Sequence, residues 1–174
     1  MTNEIQAYCR QREFSPRSEA RWLALNDTDR AALLSLMQEI KAGENHFKDL
    51  LDWLEEIALR DGAAIATLVK TLSAIIDDPR LGRNEKLKRL KDELRRLRFP
   101  RLARVEDEIQ RRVRELKLAK GVSLTVPVGL EGGSVTLKIE AGSADEMRAL
   151  VQNVAAAVES SPMNEIFSLL HGDE

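Results

Sequence analysis

The chain has 174 residues, of which 43% are hydrophobic, 32% charged and only 4% aromatic, and its formal net charge is −2. This balance predicts a globular protein of one ordinary domain or two small ones, with few aromatic side chains in its core. No apolar run approaches the roughly 20 residues of a membrane span, and the polar N-terminus lacks the apolar core of a signal peptide. A single cysteine, Cys9, excludes an internal disulfide framework. We therefore expect a cytoplasmic protein.

Positive charge is concentrated in the middle of the chain. Residues 80–120 hold 16 of the 27 lysines and arginines but only 7 acids, and both flanking regions are acidic. Such asymmetry indicates a polyanionic partner or an acidic protein surface. The charge pattern alone does not decide between the two.

After an N-terminal segment, residues 1–14, the pattern predicts a helical unit of four helices over residues 15–78. Ser15 and Pro16 are typical of an N-cap followed by proline at the first helical position. Pro79 ends the unit, because the residue before a proline is disfavoured in helical conformation. The two clearest amphipathic stripes are Phe47, Leu50, Leu51, Leu54 and Ile57, and then Ile65, Leu68, Val69, Leu72, Ile75 and Ile76.

Residues 79–120 are predicted to form two basic helices, 83–98 and 103–118, joined at Pro100. The first helix carries a narrow leucine seam with three- and four-residue spacing, formed by Leu87, Leu90, Leu94 and Leu97. Such a narrow apolar stripe is typical of a helix that packs in a helical hairpin or against a second subunit in a dimer. The pattern does not separate these alternatives.

The last segment, residues 121–174, begins where the hydrophobic period changes from 3.6 to 2. Alternating apolar residues on either side of the glycine-rich stretch 129–133 predict a β-hairpin. Pro127 lacks an N–H and must lie at an edge or a non-bonded position. Ser143 and Glu146 have the spacing of a capping box, which starts the next helix. The predicted fold is therefore mainly α with a small C-terminal β-hairpin (α+β), and it ends in an αββα module.

This hairpin is predicted to form part of a dimer. Two strands alone are only marginally stable, so they need a helix beneath them and a second hairpin from another subunit. A four-stranded sheet shared by two subunits would bury the apolar face. The predicted dimer-interface residues are Val122, Leu124, Val126, Val135, Leu137, Ile139, Met147 and Leu150.

Few residues could support catalysis. His46 and His171 are far apart in sequence, and Cys9 is better explained as a small apolar residue of a terminal helix. The carboxylates at positions 49, 52 and 56 share one face of a predicted helix, which favours an acidic surface over a metal site. The glycine-rich loop lacks the lysine and the following helix of a phosphate loop. We therefore expect a protein that is not an enzyme and has no metal or cofactor.

The basic helices are the best candidate for a binding surface. Several cations on one helix can contact phosphates together, and no amide side chain lies among them between residues 85 and 98, so contacts would be mainly independent of base sequence. The predicted nucleic-acid-binding residues are Lys86, Lys88, Arg89, Lys91, Arg95, Arg96, Arg98 and Arg101. Two alternatives stay open: a solvated face, or an adaptor whose basic helices pair with an acidic partner or with the acidic helix 44–60 of the same chain.

The C-terminal third resembles a known family. A helix ending ELKL is followed by the strand GVSLTV, the loop EGGS, the strand VTLKIEA and the helix SADEMRALVQNVAAAV. This order resembles the C-terminal dimerisation domain of ParB-type chromosome and plasmid partition proteins. The stretch SPRSEARWLALNDTDRAALLSLMQEIKAG is similar to the helices that follow the helix-turn-helix of the same family.

The resemblance implies a homodimer in which hairpins from two chains join in one sheet and lysines hold DNA without sequence preference. It also implies a partition ATPase as a possible partner. The chain has no room upstream for the family's nucleotide-binding domain, so CTP-driven clamping and ATPase activation by an N-terminal tail are not expected. Lys138 is the only cation on the hairpin, so we expect the preceding helices to make any DNA contact.

Overall fold

The computed structural model describes residues 1–172, apart from the side chain of Val128, and confirms a mainly helical fold with a small antiparallel hairpin near the C-terminus. Two compact units divide the chain, Met1–Phe99 and a second unit that begins at Pro100. The helices of the first unit are α1 (Thr2–Gln11), α2 (Pro16–Leu23), α3 (Asp27–Ile40), α4 (Glu44–Asp61), α5 (Ile65–Thr71), α6 (Ser73–Ile76) and α7 (Arg83–Arg98). The second unit contains α8 (Pro100–Glu115), β1 (Val122–Thr125), β2 (Thr136–Ile139), α9 (Ala144–Val158) and α10 (Ser161–His171).

The first unit begins with α1, the terminal helix on which Cys9 was expected to lie. Ile5, Tyr8 and Cys9 of α1 are buried, so the N-terminal segment contributes to the core of this unit. The aromatic rings gather at this end, where Trp22 stacks on Phe47 with ring centroids 4.9 Å apart. Four of the seven aromatic residues of the chain thus form one cluster, namely Tyr8, Phe14, Trp22 and Phe47.

The stripe predicted as one helix over residues 65–76 is two helices. Leu72 leaves helical geometry between α5 and α6, with φ −88° and ψ 0°. At the same point the Thr71 hydroxyl donates to the carbonyl of Leu68 at 2.6 Å, a bond that competes with the regular helical ladder. The segment 15–78 therefore holds five helices instead of four. Both pieces still bury their apolar residues in the same core.

The leucine seam of α7 belongs to the first unit. Leu90 and Leu94 are completely buried, and Leu87 and Leu97 pack against the same core. Helix α7 contacts α3, α4 and α6. The structure thus uses the seam to close its own unit, and the seam is not available to a second subunit.

The second unit pairs β1 with β2 in the register Val122↔Ile139 and Leu124↔Leu137. Strand β1 ends at Thr125, earlier than the alternation suggested, because Pro127 has no N–H to donate to a ladder. A small core forms around Ile109 of α8, together with Leu116, Leu124, Ala157, Met163 and Ile166. Helix α10 continues through His171.

Within residues 1–172, no helix combines the length and apolar character needed to cross a membrane.

Candidate nucleic-acid interface

Much of the positive charge of α7 is neutralised by acids of its own unit. The Lys91 Nζ lies 2.7 Å from the Asp49 carboxylate, and the Arg98 Nε lies 2.7 Å from that of Glu56. Both acids belong to α4, whose outward face is acidic. The structure therefore shows, for α7, the pairing with the acidic helix 44–60 that the sequence left open as an alternative.

Lys86 lies deepest among the predicted cations. Its side chain is only 8% exposed, and its Nζ lies 2.5 Å from the carboxylate of Glu39 on α3. This hydrogen bond and the lysine charge lower the pKa of Glu39 from its usual range. A buried ammonium held by a carboxylate cannot reach a phosphate without breaking that pair, so Lys86 is removed from the surface available to DNA.

The other predicted cations differ in their surroundings. Arg89 is exposed but pairs with Glu85 one turn away, at 2.9 Å. Arg95 and Arg96 are half-buried and have interaction partners. Lys88 is exposed on the side of α7 opposite the leucine seam, and Arg101 is exposed at the start of α8. The predicted set is therefore divided between the two units.

A row of exposed cations that the sequence did not single out lies on α8. With about 100° per residue, Arg104, Arg111 and Arg114 project from the side opposite Ile109, and Arg101 lies next to them. Asp107 is on the same side and has an interaction partner, while Arg111 pairs with Glu108. Among residues 1–172, the side chains of Arg101, Arg104 and Arg114 make no ion pair. Two further exposed cations, Lys117 and Lys120, follow the helix.

Arg112 has a different role from its neighbours on α8. Its guanidinium contacts three carboxylates, Glu165 at 2.7 Å, Glu115 at 2.9 Å and Glu108 at 3.1 Å. The hydrogen bond to Glu115 is the largest of the effects that raise the pKa of Arg112. Because Glu165 belongs to α10, this arginine links α10 to α8.

The acidic face of α4 is occupied by internal ion pairs. Arg21 contacts both Asp52 and Glu55 at 2.5 Å, in addition to the pairs that Asp49 and Glu56 make with α7. Within the described part of the chain, no group of three or more His, Cys, Asp or Glu side chains is placed to hold a metal ion. These carboxylates hold helices together.

The residues considered for catalysis, His46, His171 and Cys9, do not all belong to the same unit. His46 is in the first unit and His171 is in the second. Cys9 is buried, and its burial raises the pKa of the thiol to about 11, with a smaller contribution from Glu19. At neutral pH that thiol is protonated and is a poor nucleophile.

The predicted dimer-interface residues fall into three groups. Leu124 and Leu150 are already buried within their own unit, at 8% and 6% exposure. Met147 is exposed. The half-buried members are Val122, Val126, Val135, Leu137 and Ile139. A shared sheet stays a prediction, and its strongest apolar contribution would come from the half-buried hairpin residues.

Comparison with protein-family models, with curated proteins and with solved structures finds no match for this chain. The similarity to the ParB-type family therefore rests on the order of elements and on the residues quoted for it. Function has to be argued from the surfaces that the fold leaves exposed.

Proposed function

We propose that this is a non-enzymatic DNA-associated protein that contacts phosphates through the outer side of α8, mainly without sequence preference. The observation that carries this proposal is the set of exposed cations Arg101, Arg104 and Arg114, which have no acidic partner among residues 1–172. A cation already paired inside the protein must give up that pair before it contacts a phosphate. An unpaired, exposed cation has no such cost.

The geometry of the row suits a polyanion. Residues 101 and 114 are 13 positions apart, which spans roughly 20 Å of helix at 1.5 Å per residue. Duplex DNA carries one negative charge per about 1.7 Å of axis, so several phosphates lie within reach of such a row. Lys117 and Lys120 extend the positive surface beyond the end of α8. A role in chromosome or plasmid partition is the form of this function that the family resemblance suggests.

The proposal moves the expected contact surface away from α7. Lys86, Lys91 and Arg98 are held by acids of α3 and α4, so they contribute less positive potential to the surface than the sequence implied. Lys88 of α7 is exposed and makes no ion pair with residues 1–172, so it remains a candidate phosphate contact of the first unit. An acidic protein could in principle bind the row on α8 through the same charges, and this defines the alternative outcome of the test.

The test is binding of the full chain to a labelled random-sequence duplex of about 40 base pairs, titrated with salt. The variant Arg101→Ala/Arg104→Ala/Arg114→Ala should weaken binding and reduce the slope of log K against log salt by about 2.7, which is 0.9 for each lost phosphate contact. A control with the same loss of charge replaces three exposed cations of the first unit with alanine, namely Arg10, Arg17 and Lys70. This control should leave the slope nearly unchanged.

Two results would refute the proposal. If the wild-type chain shows no binding at low salt, DNA is not its partner. The exposed cations of α8 would then be interpreted as a binding surface for an acidic protein. If both triple variants reduce the slope equally, binding reflects only net charge and α8 has no special part in it.

A further inference from the structure

Helix α9 is apolar on two sides, and only one of them is covered by its own unit. On the covered side, Leu150 and Ala157 are buried, and the Asn153 side chain accepts a hydrogen bond from the backbone N–H of Ala119 at 2.9 Å. On the uncovered side, Met147, Val151 and Val158 are 40%, 48% and 47% exposed. Val154, which lies between Val151 and Val158 along the helix, is half-buried.

These uncovered residues form one continuous stripe. They lie at positions i, i+4, i+7 and i+11, the spacing of a two-helix seam, and we call them the α9 seam (Met147, Val151, Val154 and Val158). Of the six large hydrophobic side chains that are exposed in residues 1–172, three belong to this seam. Isolated exposed apolar residues are ordinary, but a stripe of them along one helix marks an interaction surface.

We infer that the α9 seam is covered by the α9 of a second copy of this chain, packed antiparallel. The spacing of the seam, four residues, then three, then four, reads the same in both directions. An antiparallel pair therefore places Met147 against the partner's Val158 and Val151 against the partner's Val154. Every seam residue meets an apolar residue, as a self-complementary twofold interface requires.

Charges beside the seam agree with this arrangement. Arg148 and Glu159 lie on the same flank of the seam, about 100° and 120° around the helix from Met147. In an antiparallel pair, the flank of one helix that carries Arg148 and Glu159 faces the same flank of the other helix. Arg148 therefore lies beside the partner's Glu159, and the twofold axis makes this contact twice. In a single copy, Arg148 is 76% exposed and pairs only with Asp145, 2.8 Å away on its own helix, within the described residues.

The seam is short, so the dimer should be moderately stable. The first and last residues of the seam are 11 positions apart, about 16 Å of helix, which is small for a permanent interface. We therefore expect dissociation in the micromolar range and a mass that doubles as the concentration rises. This interface differs from a shared hairpin sheet because it depends on α9 and leaves the edges of β1 and β2 unpaired.

Sedimentation equilibrium of the full chain from about 1 to 200 µM tests the inference. Val151→Glu places a charge in the centre of the seam on both copies and should weaken association by about 100-fold or more. Ala156→Glu, a control with the same charge on an exposed position of the same helix about 180° away from Met147, should dimerise like the wild type.

A charge exchange tests the orientation. Arg148→Glu and Glu159→Arg should each weaken the dimer by up to about 10-fold, and the double variant should recover most of that loss, because the pair is restored with its signs reversed. A wild-type chain that stays monomeric at 200 µM would overturn the inference. So would a dimer that survives Val151→Glu but is lost with Leu137→Asp, since that result would place the interface on the hairpin.

Discussion

The Tyr8 side chain of α1 contacts the backbone near the end of α3. Its hydroxyl lies 2.8 Å from the carbonyls of both Met37 and Ala42, at the point where α3 ends, and the tyrosine is buried. One hydroxyl hydrogen satisfies one carbonyl at a time, so Tyr8→Phe removes about one net hydrogen bond and leaves a buried carbonyl less well satisfied. The expected loss is about 1–2 kcal/mol in the free energy of unfolding of the first unit.

Urea unfolding followed by tryptophan fluorescence measures this loss directly. Both tryptophans, Trp22 and Trp53, belong to the first unit, so the signal reports that unit. With a slope of about 2 kcal/mol per molar urea, the midpoint should fall by about 0.5–1 M with the slope unchanged. Tyr8→Leu also removes the ring contacts with Phe14 and Trp22 and should cost more. A Phe variant as stable as wild type, or as unstable as the Leu variant, would refute the reasoning.

Three further predictions concern pH, backbone geometry and thiol reactivity. Hydrogen bonds from Ser15 and neighbouring donors lower the pKa of Glu44 from 4.5 to about 2, so its stabilising effect is full above pH 4.5 and is lost as the pH falls towards 2. The difference in urea midpoint between wild type and Glu44→Gln should therefore shrink over that range, and a constant difference would contradict it. Gly121 has φ +96°, and an added Cβ would lie 2.6 Å from the Glu140 carbonyl oxygen, so Gly121→Ala should destabilise the hairpin by about 1–3 kcal/mol, measured as faster amide exchange in β1 and β2. The Cys9 thiol should react with Ellman's reagent at pH 7.5 only in urea, whereas rapid labelling of the native chain would show that it is accessible.

Local patterns determined most of the secondary structure. The stripe through Phe47 and Leu54 predicted α4, and both residues are fully buried. The change to a period of two at Gly121 predicted the hairpin, and the register places Leu124 opposite Leu137 as the alternation requires. These features depend on residues close together in sequence, which is why periodicity identifies them.

Exceptions arose where a single residue altered the backbone. Pro127 shortened β1 because it cannot donate a ladder hydrogen bond. Leu72 divides the stripe from 65 to 76 into two helices although both halves remain apolar. Hydrophobic spacing predicts which face is buried, but it does not predict whether each intervening backbone hydrogen bond is made.

The sequence by itself determined that the centre of the chain is basic, that an acidic helix precedes it and that a hairpin follows. Only the tertiary structure decided which charges are used internally, because ion pairing depends on contacts between distant segments. It brought Lys91 to Asp49, 42 positions away, and left Arg104 and Arg114 exposed. It also left the Val151 side of α9 uncovered. The composition and spacing of the sequence do not show whether a particular cation or valine is covered in the folded protein. The packing of whole helices decides which of these side chains are covered.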